Sequence, residues 1–312
     1  MVAPRVDGRR PDIHPCRTGP TGEEARAAME LARCLFVVGT GRSGTTALYE
    51  FLCSHPDATW LSNWSQRVAP LGLLHPRGTE AGKERAGARW RFRPVEGYRV
   101  FDRALQMDGS GHLVARSAGR IRMLRAEIGL HRVRRWGGRA PVFVSKNTRN
   151  TRAVPVLEGL LPGSRYVDLV RNPLDTVASM VRVAFFQDLA LTWDGRATTV
   201  RDAVAHGADP VAIAAQLWND ETALALADLA TIDPDRVLRI RYEDLVADPG
   251  TVLHTVGTFA GLDPDRHPGF ARRAAEFAAR PSVARDPAFV DSVERICGAT
   301  AVQVGYSDLF DR

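Results

Sequence analysis

Residues 35 to 51, LFVVGTGRSGTTALYEF, constrain the fold more than any other stretch of the chain. An apolar run stops at Gly39, small polar residues and one arginine follow, and apolar residues then return at helical spacing. That order predicts a strand, a glycine-rich turn and a helix. Gly39, Gly41 and Gly44 free the backbone for positive φ and for close approach to a ligand. The amides of Ser43, Gly44, Thr45 and Thr46 are then expected to face one anion at the positive end of the helix. The hydroxyls of Ser43, Thr45 and Thr46 are further candidate partners. The stretch fits the phosphate loop G-x-x-x-x-G-K-[ST], except that Thr45 stands where the lysine belongs. The loop's cation lies three places upstream, at Arg42.

Three more short apolar segments, 141–145, 165–170 and 236–241, read as buried parallel strands. Helical patterns alternate with them at 48–55, ended by Pro56, and at 176–186, 211–229 and 251–259. The alternation predicts a three-layer P-loop-like α/β fold, a central mostly parallel sheet with helices on both faces. One domain is expected over 30–312, after a flexible lead-in at 1–29 that lacks the apolar core of a secretory signal. Residues 60–106, rich in Arg, Gly and Pro, break the rhythm and read as a lid of loops and short helices over the strand ends. No run of about 18 apolar residues predicts a membrane span, so a cytoplasmic protein is expected.

Of the 42 basic residues 40 are arginine, so the two lysines, Lys83 and Lys146, stand out. The net charge of +6 suits small anionic ligands. No nucleic-acid module accompanies it, and no membrane partner is expected. The four cysteines form no C-x-x-C pair and the eight histidines are scattered, so neither a disulfide framework nor a metal site is expected.

Two further motifs accompany the loop. In RYVDLVRNPLDTVASM, residues 165–180, a strand ends at Arg171 and a helix starts with Asn172 as cap, Pro173 in the first turn and Asp175 facing the dipole. Ser179 follows about two turns beyond Arg171. In VFVSKNTRN, residues 142–150, Lys146 stands at a strand end.

The loop R-S-G-T-T, His55-Pro56-Asp57 after the helix, and the Arg171/Ser179 pair resemble the sulfotransferases that use 3′-phosphoadenosine-5′-phosphosulfate (PAPS). The resemblance spans about residues 34–260. It implies transfer of a sulfuryl group from PAPS, a co-substrate leaving as 3′-phosphoadenosine-5′-phosphate (PAP), to a hydroxyl or amine of a small metabolite or carbohydrate, with no metal. It further implies that Gly41, Arg42, Ser43, Gly44, Thr45 and Thr46 hold the 5′-phosphosulfate and that Arg171 and Ser179 hold the 3′-phosphate. Arg42 and Lys146 are then the catalytic cations. A later stretch, Tyr242-Glu243-Asp244-Leu245, is similar to the family's structural strand-turn-helix, with Tyr242 as anchor and Glu243 or Asp244 as local partners.

The base on the acceptor is less plain. Cytosolic relatives carry a histidine where Thr148 stands here, and the region after the HPD turn lacks the carboxylate of tyrosylprotein enzymes. Glu96, in RFRPVEGYRVFD, is the candidate, with Tyr98 and Phe101 expected beside the acceptor. The helix at 117–139 carries arginines that either face solvent or rim the site. Two alternatives stay open at this point: a P-loop kinase or NTPase, which calls for a loop lysine and an acidic strand end, and an inactive nucleotide-binding module.

Overall fold

The computed structural model describes residues 33–63, 65, 93–132, 141–191, 198–277 and 286–310. The lead-in at 1–29, Lys83, most of the lid at 60–106 and the end of the helix at 117–139 lie outside the described residues.

Five strands, β1 (Cys34–Val38), β2 (Ala58–Thr59), β3 (Val142–Lys146), β4 (Arg165–Val170) and β5 (Val237–Arg241), form one sheet in the order β2-β3-β1-β4-β5, and every pairing is parallel. The sheet has β1 at its centre, with Val37 opposite both Lys146 of β3 and Val167 of β4. All of β1 is buried, as its unbroken apolar sequence predicts for a strand covered on both faces.

Alternation along the strands sends side chains into two cores. Phe36, Val38, Phe143 and Tyr166 pack with Leu124 and Ile128 of α3 (Ala118–Arg132), Leu157 of α4 (Val154–Leu160) and Leu229 of α6 (Pro210–Leu229). Leu35, Val37, Val144, Val167 and Leu169 pack on the other face with Leu48 and Leu52 of α1 (Thr45–Cys53), Leu245 of α7 (Tyr242–Ala247) and Val256 of α8 (Pro249–Ala260). A third cluster joins α5 (Pro173–Met180), α6 and α9 (Pro287–Gln303) around Trp218, which is fully buried.

Two expectations change. The helical pattern at 176–186 is broken: α5 ends at Met180, and a separate turn, Ala184–Gln187, starts after Val183, whose backbone is extended. The break lets Phe186 turn into the third cluster while Phe185 stays exposed. Phe101, expected beside the acceptor, lies in the first core on α2 (Tyr98–Ala104) and is 2% exposed. Helix periodicity explains the difference, since Phe101 shares the apolar stripe of α2 with Val100 and Ala104. No described helix is long and apolar enough to cross a membrane.

Glu127 of α3 is buried, and burial pushes its carboxyl up to about 7, with Arg103 opposing the shift. A carboxyl raised in the folded state favours folding at low pH, and that advantage is lost as pH rises from about 4.5 through about 7. Urea titrations at pH 5 and pH 8 should show wild type losing on the order of 1–3 kcal/mol that Glu127→Gln retains.

Candidate active site

The carboxyl ends of β1, β3 and β4 stand side by side, and each delivers one motif. At the end of β1 the backbone turns sharply through Gly39, with φ 136°, where an added Cβ would sit 2.4 Å from the Leu169 carbonyl oxygen. Only glycine fits there. The turn is tied down by Thr151 in the 3-10 turn Thr148–Arg152 after β3: the Gly39 amide donates to Thr151 Oγ1 at 3.1 Å, and the Thr151 hydroxyl donates back to the Gly39 carbonyl at 3.2 Å. Asn150 Nδ2 donates to the carbonyls of Val37 and Ser145, both at 3.3 Å, locking the two strand ends together. Buried polar groups paired in this way hold the loop in one conformation.

Within the loop the left-handed residue after Gly39 is Arg42, with φ 72°, and not Gly41. Arg42 is the only non-glycine with positive φ among the described residues. Such a conformation costs about 1–3 kcal/mol and persists where surrounding contacts over-determine it. Those contacts come from the second motif: Arg42 Nε donates to Ser179 Oγ at 3.1 Å, and Arg171 Nη1 donates to the Arg42 carbonyl at 3.3 Å. Among the described residues, a Cβ added at Gly41 would meet no atom beyond its chain neighbours within 4 Å, so the loop has free space at Gly41.

Gly44 caps α1 with φ 88° and offers no side-chain cap, which leaves the first amides of the helix, Thr45 and Thr46 among them, uncapped. Thr45 is buried and Thr46 exposed. Ser43 faces inward. It is fully buried, its amide donates to the Thr40 carbonyl at 3.4 Å, and its hydroxyl shares a hydrogen bond of 2.6 Å with that of Thr40. The short Gly41-Arg42 tip forces a tight turn, so Ser43 braces the loop from inside.

Arg171 is held on every side. Its backbone carbonyl accepts from Trp218 Nε1 at 3.1 Å, its guanidinium lies 4.5 Å from the centre of the Tyr242 ring, and Asp175 sits 3.4 Å from Nη2. Its Nε is buried and has no partner among the described residues. Asn172 caps α5 as its sequence predicts, accepting from the Asp175 amide at 2.7 Å.

Lys146, at the end of β3, is 4% exposed, and its ammonium donates to Glu96 in a close ion pair. A buried lysine is tolerated only when paired, so the structure joins two candidates that are 50 residues apart in sequence. Tyr98 completes the group: its hydroxyl bonds that of Thr148 at 2.9 Å, and Arg149 lies over its ring. Burial first, then the hydrogen bond to Glu96, pushes the Tyr98 phenol up to about 12, so it stays a neutral donor at ordinary pH.

Asp168, the carboxylate of β4, is 2% exposed and committed to Arg239 at 2.8 Å, while burial raises its pKa. It is thus engaged inside the sheet, which weighs against the acidic strand end that a magnesium-dependent kinase calls for.

A parallel sheet with a glycine-rich loop after its central strand and basic side chains at the flanking strand ends defines a P-loop-like fold. The model of the family described as "Sulfotransferase family" matches residues 34–266, and the chain belongs to that family. Its activity class is sulfuryl transfer. No curated protein sequence matches. Among solved structures the fold is similar to sulfotransferase STF9 from Mycobacterium avium, at 14% identity and TM-score 0.54, covering 93% of this chain and 80% of that one. It is also similar to sulfotransferase STF1 from Mycobacterium tuberculosis H37Rv, at 17% identity and TM-score 0.52, covering 91% and 80%.

Gly39→Ala should unfold the loop's anchor and lower stability by about 2 kcal/mol or more, through both the clash and the positive φ. Gly41→Ala, with open space around it, should stay near wild type in a thermal melt.

Proposed function

We propose that this protein transfers a sulfuryl group from PAPS to a hydroxyl or amine of a small metabolite or carbohydrate. The observation that carries the proposal is the contact between motifs: Arg42 reaches Ser179, and Arg171 reaches the Arg42 carbonyl, across 137 and 129 residues of sequence. One bisphosphorylated nucleotide gives a reason for two cationic sites to be built side by side. Gly41, Arg42, Gly44, Thr45 and Thr46 would hold the 5′-phosphosulfate, with Ser43 bracing them, and Arg171 with Ser179 the 3′-phosphate. The residues fit the group, because among the described residues the loop has free space at Gly41 and the buried Nε of Arg171 has no partner.

PAPS supplies the sulfuryl group and leaves as PAP with the electron pair of the broken sulfur–oxygen bond. The protein's part is positioning, charge and a proton acceptor. Lys146 and Arg42 offset charge where the leaving phosphate and the sulfuryl oxygens gain it. An ammonium has three donors, so Lys146 can keep Glu96 in place while giving another hydrogen to a ligand oxygen. Glu96 takes the acceptor's proton as the new sulfur–oxygen bond forms. Tyr98 and Thr148 orient that carboxylate, and the stretch carrying Glu96 shapes the acceptor side.

A thermal-shift comparison separates this reading from the kinase alternative. At 100 times its dissociation constant a ligand adds about 2.7 kcal/mol. PAP should raise the melting temperature, and ATP with magnesium should not; the reverse pattern would remove the sulfotransferase reading. Given a turned-over acceptor, Lys146→Ala and Arg42→Ala should each lower kcat on the order of 10² to 10³. Glu96→Gln should lower kcat by about 10² or more while leaving PAP affinity unchanged. A full rate in that variant would assign the base elsewhere.

A further inference from the structure

Tyr242, expected as an anchor, and Glu243, expected with Asp244 among local partners, stand at the start of α7, and together they reach the glycine-rich loop and the Arg171 turn. The Tyr242 ring lies between them. On one side it faces the Arg171 guanidinium, 4.5 Å from ring centre to Cζ. On the other it lies so close to Gly44 that an added Cβ would sit 2.7 Å from two ring carbons. Gly44 is therefore required by Tyr242 as well as by its own φ of 88°. Glu243 holds the next residue along: one carboxylate oxygen accepts from the Asn172 amide at 3.2 Å and from Asn172 Nδ2 at 2.6 Å. Its other oxygen accepts from the Tyr306 hydroxyl, which also lies 3.2 Å from the Val170 carbonyl. The backbone on both sides of Arg171 is thus pinned by groups from β5–α7 and from the chain's last described turn.

We infer that Tyr242 and Glu243 are positioning residues that aim Arg171 at the nucleotide's 3′-phosphate and fix its distance from the first loop. The inference rests on the PAPS reading and adds to it the origin of discrimination for the 3′-phosphate. Two physical facts support it. A guanidinium rewards fixed geometry, because its donors form a rigid fork. An aromatic face can hold a cation in place without occupying its N–H groups, which stay available to a phosphate. Asp175 alone, at 3.4 Å, would leave that fork free to swing toward its carboxylate. Tyr242 meets both Arg171 and Gly44 through its ring, so the ring carries the role.

The test compares two nucleotides that differ only in the 3′-phosphate, PAP and adenosine 5′-monophosphate, by calorimetric titration of the protein. Tyr242→Leu keeps bulk against Gly44 but has no aromatic face, and Glu243→Gln removes the charge with little change of shape. Each should weaken PAP about tenfold, equal to about 1.4 kcal/mol, while adenosine 5′-monophosphate changes less than about threefold. Tyr242→Phe should restore the wild-type ratio. Equal weakening of both nucleotides would show a merely structural role, and no change in either would show none; both results overturn the inference. If wild type itself shows no preference for PAP, the PAPS reading fails first, and the two failures are distinguishable. Circular dichroism on each variant separates lost folding from lost aim; should Tyr242→Leu not fold, Glu243→Gln decides.

Discussion

A strand buried on both faces can carry a charge cheaply only at its ends, and this constraint shapes the whole site. The central strands Cys34–Val38, Val142–Lys146 and Arg165–Val170 are parallel, so their carboxyl ends meet on one edge of the sheet. Lys146, Arg171 and the loop beginning at Gly39 all stand on that edge. Ligands bind there in open α/β sheets because the loops and helix amino ends converge outside the strands. Asp168, placed within its strand, needs Arg239 beside it and still has its pKa raised by burial.

The loop depends in turn on polar groups sealed beneath it. Thr151 and Asn150 satisfy the backbone of Gly39, Val37 and Ser145, while Thr40 satisfies Ser43. Removing one partner of such a buried pair leaves the other unsatisfied at a cost of about 1–3 kcal/mol. This rigid base explains how Arg42 is kept left-handed, with its side chain turned to Ser179 and its carbonyl to Arg171. The strain lies in the residue that joins the glycine-rich loop to the Arg171 and Ser179 motif, and strained backbone clusters at functional sites.

Much of this was legible in the sequence, for physical reasons. The four long strands fall within a residue or two of where short apolar segments place them, because parallel strands between two helical layers favour such segments. The cap at Asn172 and the helix starts at Pro173 and Pro249 follow from local chemistry. Long-range partners were not legible. Sequence names Glu96 as the candidate base, but not its ion pair with Lys146, which lies 50 residues away. Ser43 reads as a ligand donor by motif but is turned inward by the tightness of the loop. Glu243 reads as a local partner, although its contacts lie 71 and 63 residues away. The strand-turn-helix signal at Tyr242 was visible; what its ring touches was not.

Sulfuryl transfer itself gives the most direct test of the account. The protein is incubated with PAPS labelled in the sulfuryl group and with panels of alcohols, phenols, amines and glycans, and both products are measured. The account predicts label in at least one acceptor class, with an equal amount of PAP and no dependence on added magnesium. Absence of label from every acceptor class, together with phosphate release from ATP and magnesium, would contradict it.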